Sequence, residues 1–104
     1  MRIYIAGPMT GLPEHNYPAF NAATEKLRSM GYEVGNPAEL PEPESPTWEG
    51  WLKQAIQLML GCDEVVLLDG WHKSIGARLE QNLAAQLRMP CTLFTEFKGI
   101  KNDN

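Results

Sequence analysis

The stretch LLDGWHKSIGARLE, Leu67 to Glu80, carries the densest set of residues that can do chemistry. Ser74 and Gly76 sit where an apolar run hands over to a helix-forming segment. A helix N-terminus offers unpaired N–H groups and a partial positive charge, and a hydroxyl next to a position without a side chain lets an anion approach. Taken alone, a plain serine cap is the better account of Ser74. Glu80 follows six residues after Ser74, too far for a capping box, which needs three. On a helical wheel with Ile75 at zero, Leu79, Leu83 and Leu87 fall at about 40°, 80° and 120°, and Glu80 at about 140°. The carboxylate is therefore expected at the flank of an inward leucine arc. It either faces a site or answers the positive end of the helix macrodipole.

Those residues need a scaffold, and the hydrophobic pattern supplies one. RIYIAG is a short strand ended by Gly7-Pro8. A helix is expected after MTGLPEHNY, with Asn16 as cap, Pro18 in its first turn, Phe20, Ala23, Leu27 and Met30 on one face, and Gly31 as its stop. YEVGNP reads as a second strand and AELPEPESP as a surface loop. Thr47 caps a helix whose Trp48, Trp51, Leu52, Ala55, Ile56, Met59 and Leu60 keep helical spacing, so both tryptophans are expected to pack in the core. DEVVLLD is a continuous apolar run, as in a central parallel strand covered on both faces. A helix from about Ser74 to Arg88 and a last strand in PCTLFT follow. The alternation implies one α/β domain, residues 1–96, with a Rossmann-like or flavodoxin-like parallel sheet of about four or five strands and helices on both faces. Residues 97–104 form a polar tail.

Ligands of such sheets bind outside the carboxyl ends of the strands. That selects Gly7, Pro8 and Met9 after the first strand, Asn36 after the second, and Asp69 to Gly76 after the third. Trp71 is an aromatic able to stack on a base. AGPMTG is neither a GxGxxG fingerprint nor a phosphate-binding loop with its lysine, so dinucleotide and NTPase chemistry are not expected.

Composition narrows the rest. The 104 residues are 43% hydrophobic and 21% charged, with a net charge of −4. Net repulsion argues against a general nucleic-acid or anionic-membrane binder. Cys62 and Cys91 form no CxxC pair, and His15 and His72 show no ligand spacing, so neither a metal nor a cofactor is expected. RIYIAG is too short for the apolar core of a signal peptide and nothing approaches ~18 apolar residues in a row, so a soluble cytoplasmic protein is expected.

IYIAGPMTG, NPAEL, CDEVVLLDGW and SIGARLEQNLAAQL together resemble the nucleoside 2-deoxyribosyltransferase superfamily, in its small phage and bacterial branch of domains of unknown function (DUF4406-like). The likeness runs from Arg2 to about Phe94. It implies an N-glycosidic cleavage or transfer on a deoxynucleoside or its 5′-monophosphate, a small-molecule partner. Glu80 would be the nucleophile toward C1′, and Ser74 would help hold the phosphate. Such enzymes also carry an aspartate on the preceding helix, at the position of Ala55 here. The resemblance leaves Asp69 as the nearest substitute acid, although an Asp ending a strand also simply caps a turn. The family implies a homodimer or a higher homo-oligomer. The rival reading is a non-catalytic nucleotide-binding protein, a sensor or sequestering protein, on the same fold.

Overall fold

A computed structural model describes residues 1–98; the part of the expected polar tail from position 99 onward lies outside the described residues. Seven regular elements alternate along the chain: β1 (Arg2–Ala6), α1 (Tyr17–Ser29), β2 (Glu33–Gly35), α2 (Trp48–Leu60), β3 (Glu64–Leu67), α3 (Ile75–Gln86) and β4 (Cys91–Leu93). All strand pairings are parallel and the sheet order is β2-β1-β3-β4. The expected parallel α/β sheet is thus present with four strands.

Strand alternation sorts the core into two layers. Ile3, Ile5, Val66 and Leu68 face Phe20, Ala23 and Leu27 of α1. Tyr4, Ala6, Val65 and Leu67 face Met59 of α2 and Ala84 of α3. One helix therefore covers one face and two cover the other. The start of β1 is pinned by Asp63, whose carboxylate accepts from the Arg2 backbone N–H at 2.9 Å. The chain leaves β1 for β2 on one side and then returns to β3 on the other. Such a reversal opens a crevice at the carboxyl ends of β1 and β3.

The two strand ends approach closely at Gly7. A Cβ there would lie 2.9 Å from Leu68 Cβ. Gly7→Ala is expected to lower stability by about 1–3 kcal/mol through overpacking, read as a fall in the urea midpoint. A midpoint equal to that of the parent would show that the strand ends are loosely held.

The helix boundaries agree with the sequence reading more closely than the helix faces do. Thr47 caps α2, accepting from Gly50 N–H at 3.0 Å, and Ser74 caps α3, accepting from Ala77 N–H at 3.1 Å. Asn16 precedes α1 but does not cap it with its side chain. Its backbone is left-handed, and its amide instead donates to the Pro8 carbonyl at 3.0 Å.

The expected inward arc of α3 holds at Leu83, which is half-buried and packs against the core, and fails at Leu79 and Leu87. Ile75, Leu79 and Leu87 are exposed, at 70%, 46% and 51%, whereas Ala77, Glu80 and Ala84 are buried. Small residues at 77 and 84 let the helix lie close to the sheet. Leucines on that face would hold it off, so the apolar stripe is left outside and Glu80 occupies the middle of the inner face. On α2 only Met59 is fully buried, while Trp48 and Leu60 are about half exposed, at 46% and 53%.

Candidate active site

A cavity of about 270 Å³ opens at the carboxyl end of the sheet. Gly7, Met9 and Thr10 come from the end of β1, His15 and Tyr17 from the segment entering α1, and Pro37 and Leu40 from the turn after β2. Helix α2 adds Trp48, Trp51, Leu52 and Ala55. Ser74, Gly76 and Ala77 lie at the start of α3, with Tyr4 and Glu80 completing the wall.

Glu80 is 5% exposed and accepts a 2.5 Å hydrogen bond from the Tyr4 hydroxyl. Tyr4 is itself fully buried in the middle of β1. Burial pushes the Glu80 carboxyl up to about 7, and the Tyr4 hydrogen bond pulls in the opposite direction by favouring the carboxylate. Burial, followed by the neighbouring Glu80 charge, raises Tyr4 well above the ordinary tyrosine range. Glu80 is therefore not an unpartnered acid on a helix surface. It is a desolvated carboxyl held by one donor and aimed at a cavity, and it changes charge near neutral pH.

The other expected site residues divide into two groups. Gly7, Met9, Ser74 and Gly76 line the cavity with Glu80. Asp69 is exposed and stands outside it, so it supplies no second acid to the cavity. Trp71 packs on the α2–α3 side of the core with its edge against His72, at 6.2 Å between ring centroids. Pro8 lies beneath Gly70 and takes the Asn16 hydrogen bond. Asn36 is 2% exposed; it donates to Asn21 at 3.0 Å and accepts from Ala38 N–H at 2.9 Å, which fixes the turn that brings Pro37 to the cavity.

Conversely, Trp48 and Trp51 line the cavity, although their spacing suggested core packing. Periodicity identifies the inner face of a helix but does not say whether that face meets a core or a cleft. Tyr4 carried a signal of its own: a buried tyrosine hydroxyl needs a partner, and a buried acid is the natural one.

A family model described as Domain of unknown function (DUF4406) matches residues 1–93. The chain belongs to this family. The DUF4406 domain is also similar in structure to the 2-deoxyribosyltransferase of the psychrotolerant bacterium Bacillus psychrosaccharolyticus. The two are 21% identical, with a TM-score of 0.70, over 100% of this chain and 87% of that one. The DUF4406 domain thus shares the fold of that protein. No curated protein matches the chain. Among the described residues of the DUF4406 domain, no helix is long and apolar enough to cross a membrane.

Proposed function

We propose that this DUF4406 domain breaks the N-glycosidic bond of a deoxynucleoside or its 5′-monophosphate. The observation that carries the reading is the buried Glu80–Tyr4 pair opening onto a cavity at the sheet's carboxyl end. Bond cleavage develops positive charge at C1′, and a carboxylate there stabilises that charge or attacks to give a glycosyl-enzyme. Ser74, Gly76 and the start of α3 form the anion end of the cavity, suited to a 5′-phosphate. Trp48 and Trp51 give the base apolar, aromatic walls. Water completes hydrolysis, and a second base completes transfer.

Ala55 favours a second reading. The cavity wall carries a methyl group where related enzymes have an acid, and among the described residues no carboxylate besides Glu80 lines the cavity. A nucleotide-binding protein without turnover accounts for that. Chromatography of free base released from a panel of deoxynucleosides and their 5′-monophosphates separates the two readings, with calorimetry on the same ligands. Binding without base release selects the second reading.

The exposed stripe of Ile75, Leu79 and Leu87 is proposed to meet a second copy of the chain, because it starts beside Ser74 at the cavity. Leu79→Glu is expected to shift sedimentation from dimer to monomer. A parent protein that sediments as a monomer at all concentrations would remove the assignment.

A further inference from the structure

Breaking the bond to C1′ leaves one proton unassigned. A nucleobase departs poorly as an anion, so a proton must reach its ring nitrogen or carbonyl oxygen as the bond breaks. Among the described residues, the cavity offers Tyr4, Tyr17 and His15 as titratable side chains besides Glu80. Tyr4 is committed to Glu80, and its surroundings make it a weaker acid than ordinary tyrosine. Phenols in general hold their proton too tightly for this task near neutral pH. Imidazole is the side chain suited to giving and taking protons there.

The backbone that presents His15 is unusual. Glu14, His15 and Asn16 have φ of 52°, 53° and 61°, three consecutive left-handed residues without a glycine. Such a backbone is unfavourable for side-chain-bearing residues, least so for Asn, and conformations of this kind persist where surrounding bonds fix them, often at functional sites. Here the bonds are the Asn16 amide to the Pro8 carbonyl, His15 N–H to the Leu12 carbonyl at 3.0 Å, and Tyr17 N–H to the Glu14 carbonyl. They hold this stretch of backbone, and with it the exposed His15, against the loop that follows β1. Its ring lies 5.8 Å from the Tyr17 ring, tilted by 48°.

We propose that His15 is the acid that protonates the departing base, an assignment that rests on the function proposed above. In the first step a Glu80 carboxylate oxygen forms a bond to C1′ and the C1′–N bond breaks. Its electron pair goes to the base, which takes a proton from the His15 imidazolium. In the second step a water oxygen attacks C1′ and the Glu80–C1′ bond breaks with its pair returning to the carboxylate. Neutral His15 then accepts the water proton. One water is consumed, one base and one sugar are released, and both side chains are restored. The ionisable groups around the imidazole are its neighbour Glu14, Tyr17 beside it, and Tyr4 and Glu80 within the cavity.

The test compares the full-length protein with His15→Asn and His15→Gly on two substrates. Asparagine tolerates the left-handed backbone and glycine relieves it, so one variant retains the fold if the other does not. The substrates are 2′-deoxyguanosine 5′-monophosphate and its 7-methyl derivative, whose cationic base leaves as a neutral molecule without an added proton. Both variants are expected to lose on the order of 10²-fold in kcat on the first substrate while the methylated one is nearly unaffected. Equal losses on both substrates would reduce His15 to a stacking residue, and no loss on either would assign the proton to another donor. Either result overturns the proposal while leaving the function standing. A parent protein that releases base from neither substrate overturns both.

Discussion

Glu80→Gln is expected to abolish release of free base, by on the order of 10⁴-fold or more, while leaving the fold and nucleotide binding in place. The substitution keeps the shape of the side chain and an oxygen able to accept from the Tyr4 hydroxyl, so the buried pair stays satisfied. It removes the only carboxylate that lines the cavity among the described residues. Glu80→Ala is a poorer test. It leaves the buried Tyr4 hydroxyl without its acceptor, at a cost of about 1–3 kcal/mol, and confuses lost chemistry with lost stability. A Glu80→Gln protein that still releases base at the parent's rate, with the same circular dichroism spectrum, would exclude Glu80 as the nucleophile.

The same carboxyl has a large effect on stability. In the folded chain it titrates at about 7, above its ordinary 4.5, chiefly because it is buried. Between those two pH values the folded protein holds a proton that the unfolded chain has released. This contribution is therefore fully present below pH 4.5 and is lost as pH rises to about 7, a difference of up to roughly 3 kcal/mol. Urea midpoints measured from acid to mildly alkaline pH should show it as a slope present in the parent and absent in Glu80→Gln. The other carboxylates are common to both proteins and cancel in the difference. Tyr4→Phe removes the group that favours the charged form, so the transition should move to higher pH, and the acid limb of base release should move with it. Parallel curves for the parent and Glu80→Gln would mean that the carboxyl titrates as it does in water.

The sequence made the scaffold legible because each element carried its own marks. The unbroken apolar run before Asp69 could only be a strand covered on both faces, and Thr47 and Ser74 cap the helices that follow them. The strand-end rule also brought Gly7, Met9, Ser74 and Gly76 to one region, and all four line the cavity beside Glu80, which the helical wheel placed separately. The helix faces were less legible. Hydropathy alone turns Leu79, and Leu87 just after α3, inward with Leu83, but only Leu83 reaches the core; alanines 77 and 84 take the inner face because close approach to the sheet needs small side chains. Asp69 illustrates a different limit. Its place after β3 is correct, yet which side of a strand end a side chain leaves from depends on the turn, not on residue type.

Tyr4 and Glu80 are 76 positions apart, the one in the first strand and the other in the last helix. Their meeting requires closure of a loop that spans most of the chain and the correct register between β1 and β3, an entropically demanding contact. In an incompletely folded chain, or in one still being synthesised, Glu80 is an ordinary solvated acid with nothing to hold it. In the proposed reaction, Glu80 would thus be held for chemistry only once β1 and α3 have met, so that bond cleavage would wait on the folded domain.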